Sequence, residues 1–368
     1  MPDGVSPGKE IRSLTGLRGI AAVIVLLYHF FENDAYYAPY VPTLVRRGYI
    51  GVDMFFVLSG FVMALSYGWV FRHSLTIAGY RDFMARRFAR IYPLYILITL
   101  AFVAKAFVNM SGTGPGRVYA GDVIASVFMI QSWGFGFVGI DIATWSLSTE
   151  FFAYLVFPAL VFFAVFGRAW HAAAVCVLSG FAIYAVAASH LGIAGQLDVV
   201  APDSFLPVLR CLAGFCLGLV CYRVAGTDLG SRLFSPSAFL LGMLVLLGVA
   251  AHFRLQDVVL FACFPFIVLA LALNSAAARA LFANRVAHHL GVVSYSLYMV
   301  HPLLVPMKFR LQPVAERFIG DAAHPLVLAA SLSLTWAAAC LLYRFVEKPG
   351  RLYAQRLLHS RTVVQKAA

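Results

Sequence analysis

Two ionisable residues, Arg18 and His29, bracket an apolar stretch near the start of the sequence, in RGIAAVIVLLYHF. Imidazole is well matched to general-base work near neutral pH, and it can also take an acyl group as a nucleophile. Guanidinium does neither; it binds carboxylates and phosphates. Eleven helical steps make about three full turns plus 20°, so the two side chains share one face, about 16 Å apart along the axis. Asp53 in GVDMFFVLSGF and Glu150 in TWSLSTEFF are the candidate carboxylates, since a carboxylate beside an imidazole orients it and raises its basicity. Arg81, Arg86, Arg87 and Arg90 crowd YRDFMARRFARIYP. Arg87 and Arg90 share a face if helical, and with Arg18 they could bind phosphates from several directions. Ser294, Tyr298 and His301 form a polar row on one helix face in GVVSYSLYMVHPLLV. Ser294 reads as helix packing, and Tyr298 and His301 as cavity-lining.

These groups sit in a chain of 368 residues that is 62% hydrophobic and 12% charged, far from soluble composition. Apolar runs recur along its whole length, which predicts an all-α polytopic membrane protein. Ten transmembrane helices are expected, at 14–32, 48–69, 90–109, 146–166, 171–190, 205–223, 237–252, 257–274, 290–309 and 324–345. A further apolar run, 121–130, is too short to span and is expected to be re-entrant or interfacial. With that run uncounted and both termini cytoplasmic, most of the basic residues fall inside, as the positive-inside rule requires. Arg18, Arg87 and Arg90 then lie near the inner face, and His29, Asp53 and Glu150 in the outer half. Residues 1–349 form one membrane domain, and 350–368 a short basic cytoplasmic tail. The start, MPDGVSPGKEIRS, lacks a signal peptide's pattern, so the first apolar segment is expected to stay as an anchor. The net charge of +12 fits cytoplasmic retention of loops and attraction to anionic membrane lipid before it fits an anionic ligand. No nucleic-acid partner is expected. The six cysteines form no CxxC pair and read as core packing, with no metal site.

The pieces LTGLRGIAAVIVLLYHF, GVDMFFVLSGF, RRFARIYPLY, TWSLSTEFF, SYSLYMVHPL and FVEKP, in that order, resemble the acyltransferase family 3 membrane proteins, which O-acylate surface glycans. The resemblance covers the chain from about Ser13 to Pro349. It implies His29 as the catalytic residue and Arg18 with Arg87 and Arg90 as the part that holds an acyl-coenzyme A donor. Trp145 and Glu150 match a piece associated with the acceptor side, Ser148 between them is a candidate substrate-binding residue with Trp145, Tyr298 and His301, and Asp53 matches the acidic residue of the second helix. The implied reaction moves an acyl group, above all acetyl, from cytoplasmic acetyl-coenzyme A to a hydroxyl of a glycan or lipid-linked sugar at the outer side of a bacterial inner membrane. His29 would serve as general base or acyl carrier, Glu150 or Asp53 would hold it, and Tyr28, Trp145, Ser146 and Ser148 are candidate oxyanion donors. Some relatives carry an added esterase-like domain, and none is expected within these residues. Buried charges and a basic mouth also suit a transporter or flippase of an anionic or lipid-linked substrate, although paired, matched broken helices are missing from the sequence.

Overall fold

A computed structural model describes residues 10–110, 119–141, 143–189, 191, 195–199 and 201–353. The principal helices are α1 (Arg12–Phe31), α2 (Gly51–Tyr67), α3 (Ile77–Met110), α4 (Ala120–Val127), α5 (Trp145–Val161), α6 (Ala169–Ala188), α7 (Leu206–Ala225), α8 (Ser237–His252), α9 (Asp257–Ala272), α10 (Arg285–Ile319) and α11 (Ala323–Leu342). No strand occurs among the described residues. Among the described residues, seven helical stretches are long and apolar enough to cross a membrane, or up to nine if each of two bent pairs is one span. The last stretch, Arg285–Tyr353, holds both α10 and α11. Ser296 on α10 donates a 2.6 Å hydrogen bond to Glu347 beyond α11, so α11 folds back along α10. The molecule is an all-α polytopic membrane protein, with exposed apolar side chains such as Val177, Phe181 and Val245 on its outer surfaces.

The helices sit where the apolar runs predict, but two are longer. α3 begins at Ile77 rather than near 90, so the whole arginine stretch is helical. α10 runs through Pro302, Pro306 and Pro313 to Ile319. In a lipid-embedded bundle, neighbouring helices and local adjustments re-satisfy the backbone groups that proline frees. The run at 121–130 contains α4, eight residues and about 12 Å long, too short to span. Tyr92 and Tyr95 on α3 tie it down by hydrogen bonds to the carbonyls of Val127 and Ser126. The tail beyond 353 and the first nine residues lie outside the described residues. The six cysteines are free thiols, four of them buried.

Two glycine-mediated crossings position the functional side chains. A Cβ on Gly60 would meet the Phe215 carbonyl oxygen at 1.9 Å, and one on Gly218 would meet that of Val57 at 2.1 Å. Thus α2 and α7 touch backbone to backbone, as small residues permit. Gly291 plays the same part between α10 and α1, with the Thr15 carbonyl oxygen 1.9 Å from the place of its missing Cβ. As a result α10 runs alongside α1 in the same direction, and Arg18 and His29 both face it. We call the end where α1 starts basal and the end where it finishes distal.

Candidate active site

At the basal end a cavity of about 650 Å³ opens between α1, α2, α3, α5 and α10, within the usual size of ligand sites. Arg18, Arg87 and Arg90 line it together. Arg18 Nη2 donates to the Gly291 carbonyl at 2.6 Å. Arg87 lies 4.7 Å over the Tyr67 ring and donates to the Tyr67 hydroxyl at 2.8 Å. Among the described residues none of the three has a carboxylate within ion-pair distance. The Nε atoms of Arg18 and Arg87 are buried without a partner. Cations held this way, in a concave and largely apolar wall, suit a polyanionic ligand. Midway along the cavity stands Glu150, which accepts from Ser59 and from Tyr154 (2.5 Å).

The distal wall of the cavity is Phe55, Ser146 and Tyr298. The Tyr298 hydroxyl donates to the Ala143 carbonyl at 3.0 Å and meets Ser146 Oγ at 2.8 Å. Behind it the Tyr298 ring lies 5.6 Å from His301, and His301 lies 4.9 Å from His29. The carbonyls beside both imidazoles fix their tautomers, because a carbonyl oxygen only accepts. His29 Nδ1–H donates to Val25 at 2.9 Å and His301 Nδ1–H donates to Tyr298 at 2.7 Å. Each Nε2 therefore carries a lone pair in the neutral ring. That of His301 is buried without a partner, and His29 is half-buried.

Several expectations need correction. Asp53 does not touch His29. Both its oxygens are taken by Arg210 on α7, at 2.7 Å from Nε and 2.6 Å from Nη2, and both side chains are wholly buried. Glu150 is held by Ser59 and Tyr154, so the Val25 carbonyl, rather than either carboxylate, orients the imidazole. Trp145 packs 5.0 Å from the Arg210 guanidinium, outside the cavity wall. Ser148 is also outside it, donating to the Met129 carbonyl at 2.9 Å and fastening the chain before α5. The single Tyr28 hydroxyl proton is taken by the carboxylates beside it, Glu32 at 3.0 Å or Asp198 at 3.4 Å. The cavity reaches Tyr298 but not His29; Tyr298 and His301 are the side chains that connect the two. Arg210 is not among the residues singled out from the sequence, yet an arginine inside an apolar helix is itself a sign that a buried carboxylate faces it.

An acyltransferase domain model matches residues 11–344. The chain is 31% identical to the acyltransferase MdmB of Streptomyces mycarofaciens, over 98% of this chain and 96% of that one. It is 31% identical to the exopolysaccharide production protein ExoZ of Rhizobium meliloti, over 88% and 94% respectively. The peptidoglycan O-acetyltransferase OatA of Listeria monocytogenes is 32% identical over 42% of this chain and 24% of its own length. No solved structure matches. With the arginine-lined cavity and the paired imidazoles assembled by the helices that carry the resembling motifs, the chain belongs to the acyltransferase family 3 and is a membrane O-acyltransferase.

Proposed function

We propose that the protein transfers an acetyl group from acetyl-coenzyme A to a hydroxyl of a glycan or lipid-linked sugar, with the basal end of the bundle facing the cytoplasm of a bacterial inner membrane. The observation that carries this reading is the cavity that begins among Arg18, Arg87 and Arg90 and ends at Tyr298, one ring from the His301–His29 pair. The donor's phosphates lie against the guanidiniums and its thiol arm points towards the distal wall. The arm needs to cover about the 16 Å from Arg18 to His29, and Tyr298 must yield for the thioester to reach the imidazole. His29 Nε2 takes the proton of the acceptor hydroxyl as its oxygen attacks the thioester carbon. The tetrahedral intermediate collapses with loss of the C–S bond, and the proton passes to the departing sulfur. Ser146 and Tyr298, whose hydroxyls meet at the distal wall, supply hydrogen bonds to the oxyanion once the Tyr298 hydroxyl turns away from the Ala143 carbonyl. The glycan acceptor is supported by the names of the exopolysaccharide and peptidoglycan relatives.

The test is labelled acetyl transfer from acetyl-coenzyme A in membrane vesicles. His29→Ala is expected to lower the rate about 100-fold or more. Transfer at the wild-type rate by a variant present at wild-type level would overturn the assignment.

A further inference from the structure

The mouth of the cavity holds a fourth guanidinium. Arg351 lies in the helical continuation of α11 beyond the π-helical stretch Tyr343–Glu347, is half-buried, and lines the cavity with Tyr343 and His288. Its backbone is set by Gly350, where a Cβ would lie 3.0 Å from Pro93 on α3, so the chain passes close against that helix. The carboxylates of the mouth have other partners. Glu10 accepts from Thr15 at 2.8 Å and pairs with His288 at 3.0 Å. Glu347 accepts from Ser296 at 2.6 Å. Among the described residues Arg351 has no carboxylate within ion-pair distance.

Its position orders the ligand chemically. Resting on the donor proposed above, the diphosphate is met by Arg18, Arg87 and Arg90, and the thiol arm runs inward from there. The other end of coenzyme A is an adenosine whose ribose carries a separate 3′-phosphate. With the arm pointing inward, that phosphate is left at the mouth, where Arg351 lies. A guanidinium fork matches a phosphate monoester in shape and charge. We propose that Arg351 binds the 3′-phosphate and makes the enzyme distinguish coenzyme A from its 3′-dephospho form.

Titration calorimetry of the detergent-solubilised full chain with coenzyme A and with 3′-dephospho-coenzyme A tests this. Wild type is expected to bind coenzyme A about tenfold more tightly than the dephospho form, the scale of one charge-assisted contact. Arg351→Gln should cut that ratio to about twofold by weakening coenzyme A alone, and Arg351→Lys, which keeps the charge, should give an intermediate ratio. Arg86→Gln is the control: Arg86 is held by Asp82 at 2.8 Å and is outside the cavity wall, so the ratio should not move. Equal binding of the two ligands by wild type, or a full ratio in Arg351→Gln, would overturn the assignment and leave the coenzyme A donor standing. Binding of neither ligand by wild type would remove the donor reading and this proposal with it.

Discussion

Arg210 and Lys308, at the distal end, each face a carboxylate, whereas Arg18, Arg87 and Arg90, at the basal end, face a cavity. Arg210 grips Asp53 with two nitrogens in a site closed to solvent. Lys308 is 1% exposed, pairs with Asp34 and donates to the Phe30 carbonyl at 2.7 Å. These pairs join α7 to α2 and α10 to the segment after α1, and their charge is neutralised within the protein. Arg18 and Arg87 are steadied by a carbonyl and a tyrosine, which accept hydrogen bonds without cancelling charge. Burial alone therefore does not separate a structural cation from a binding one. What separates them is whether the protein itself provides the counter-charge.

The largest expected effect comes from breaking a distal pair. Asp53→Asn leaves Arg210 charged in a dry site, and removing one partner of a buried pair costs about 3–5 kcal/mol. The thermal midpoint of the detergent-solubilised protein should fall steeply. Replacing both residues, Asp53→Leu with Arg210→Leu, should recover much of the loss, because the penalty lies in the orphaned charge. A single variant as stable as wild type would show that water reaches the pair, and would erase the distinction between the two ends.

That distinction was only half legible in the sequence. The common face of Arg18 and His29 followed from helical spacing alone, because α1 is one regular helix and α10 lies along it. The apolar runs likewise located the helices, since a lipid-facing surface must be apolar whatever it packs on. Partners were another matter. Asp53 and Arg210 are 157 positions apart, and nothing local to either reveals the other. Asp53 therefore read as an acid near a histidine. Arg81, Arg86 and Arg87 fell before the expected helix at 90–109, and α10 was expected to stop at 309, because charge and proline mask helix in a hydropathy profile. Arg351 read as part of a basic tail, because its place at the cavity mouth is set by the packing of Gly350 on Pro93. The residues of the site could be named from their types, but which were already satisfied depended on tertiary contacts.

A smaller effect is expected at the basal end. On the proposed donor, Arg18→Ala should raise the KM for acetyl-coenzyme A about tenfold with kcat little changed, the pattern of lost ground-state binding. The thermal midpoint should move far less than for Asp53→Asn, since among the described residues Arg18 forms no ion pair. Steady-state kinetics in vesicles would check this. A large loss of kcat at unchanged KM would place Arg18 in the transition state rather than on the phosphates.

The last effect is a change of slope. Asp141, just before α5, is buried with one carboxylate oxygen unpartnered, and among the described residues no cation is within ion-pair distance. Arginine cannot shed its charge in a protein, so an unpaired arginine requires a cavity or an anion; a carboxylate can instead take up a proton. Burial pushes the Asp141 carboxyl up to about 7, against the opposing pull of the Ala143 N–H and Lys105. The folded protein therefore binds this proton more tightly than the unfolded chain does. The resulting stability is complete below the ordinary carboxylate range, declines as pH rises, and is gone above about 7. Asp141→Asn keeps the shape and removes the titration. Between pH 5 and pH 8 the thermal midpoint of wild type should therefore fall more than that of the variant. Parallel curves would mean that Asp141 stays ionised in the fold. An unpaired buried charge would then be tolerated with neither a cavity nor a counter-ion, and the contrast between the two ends of the bundle would no longer identify a binding site.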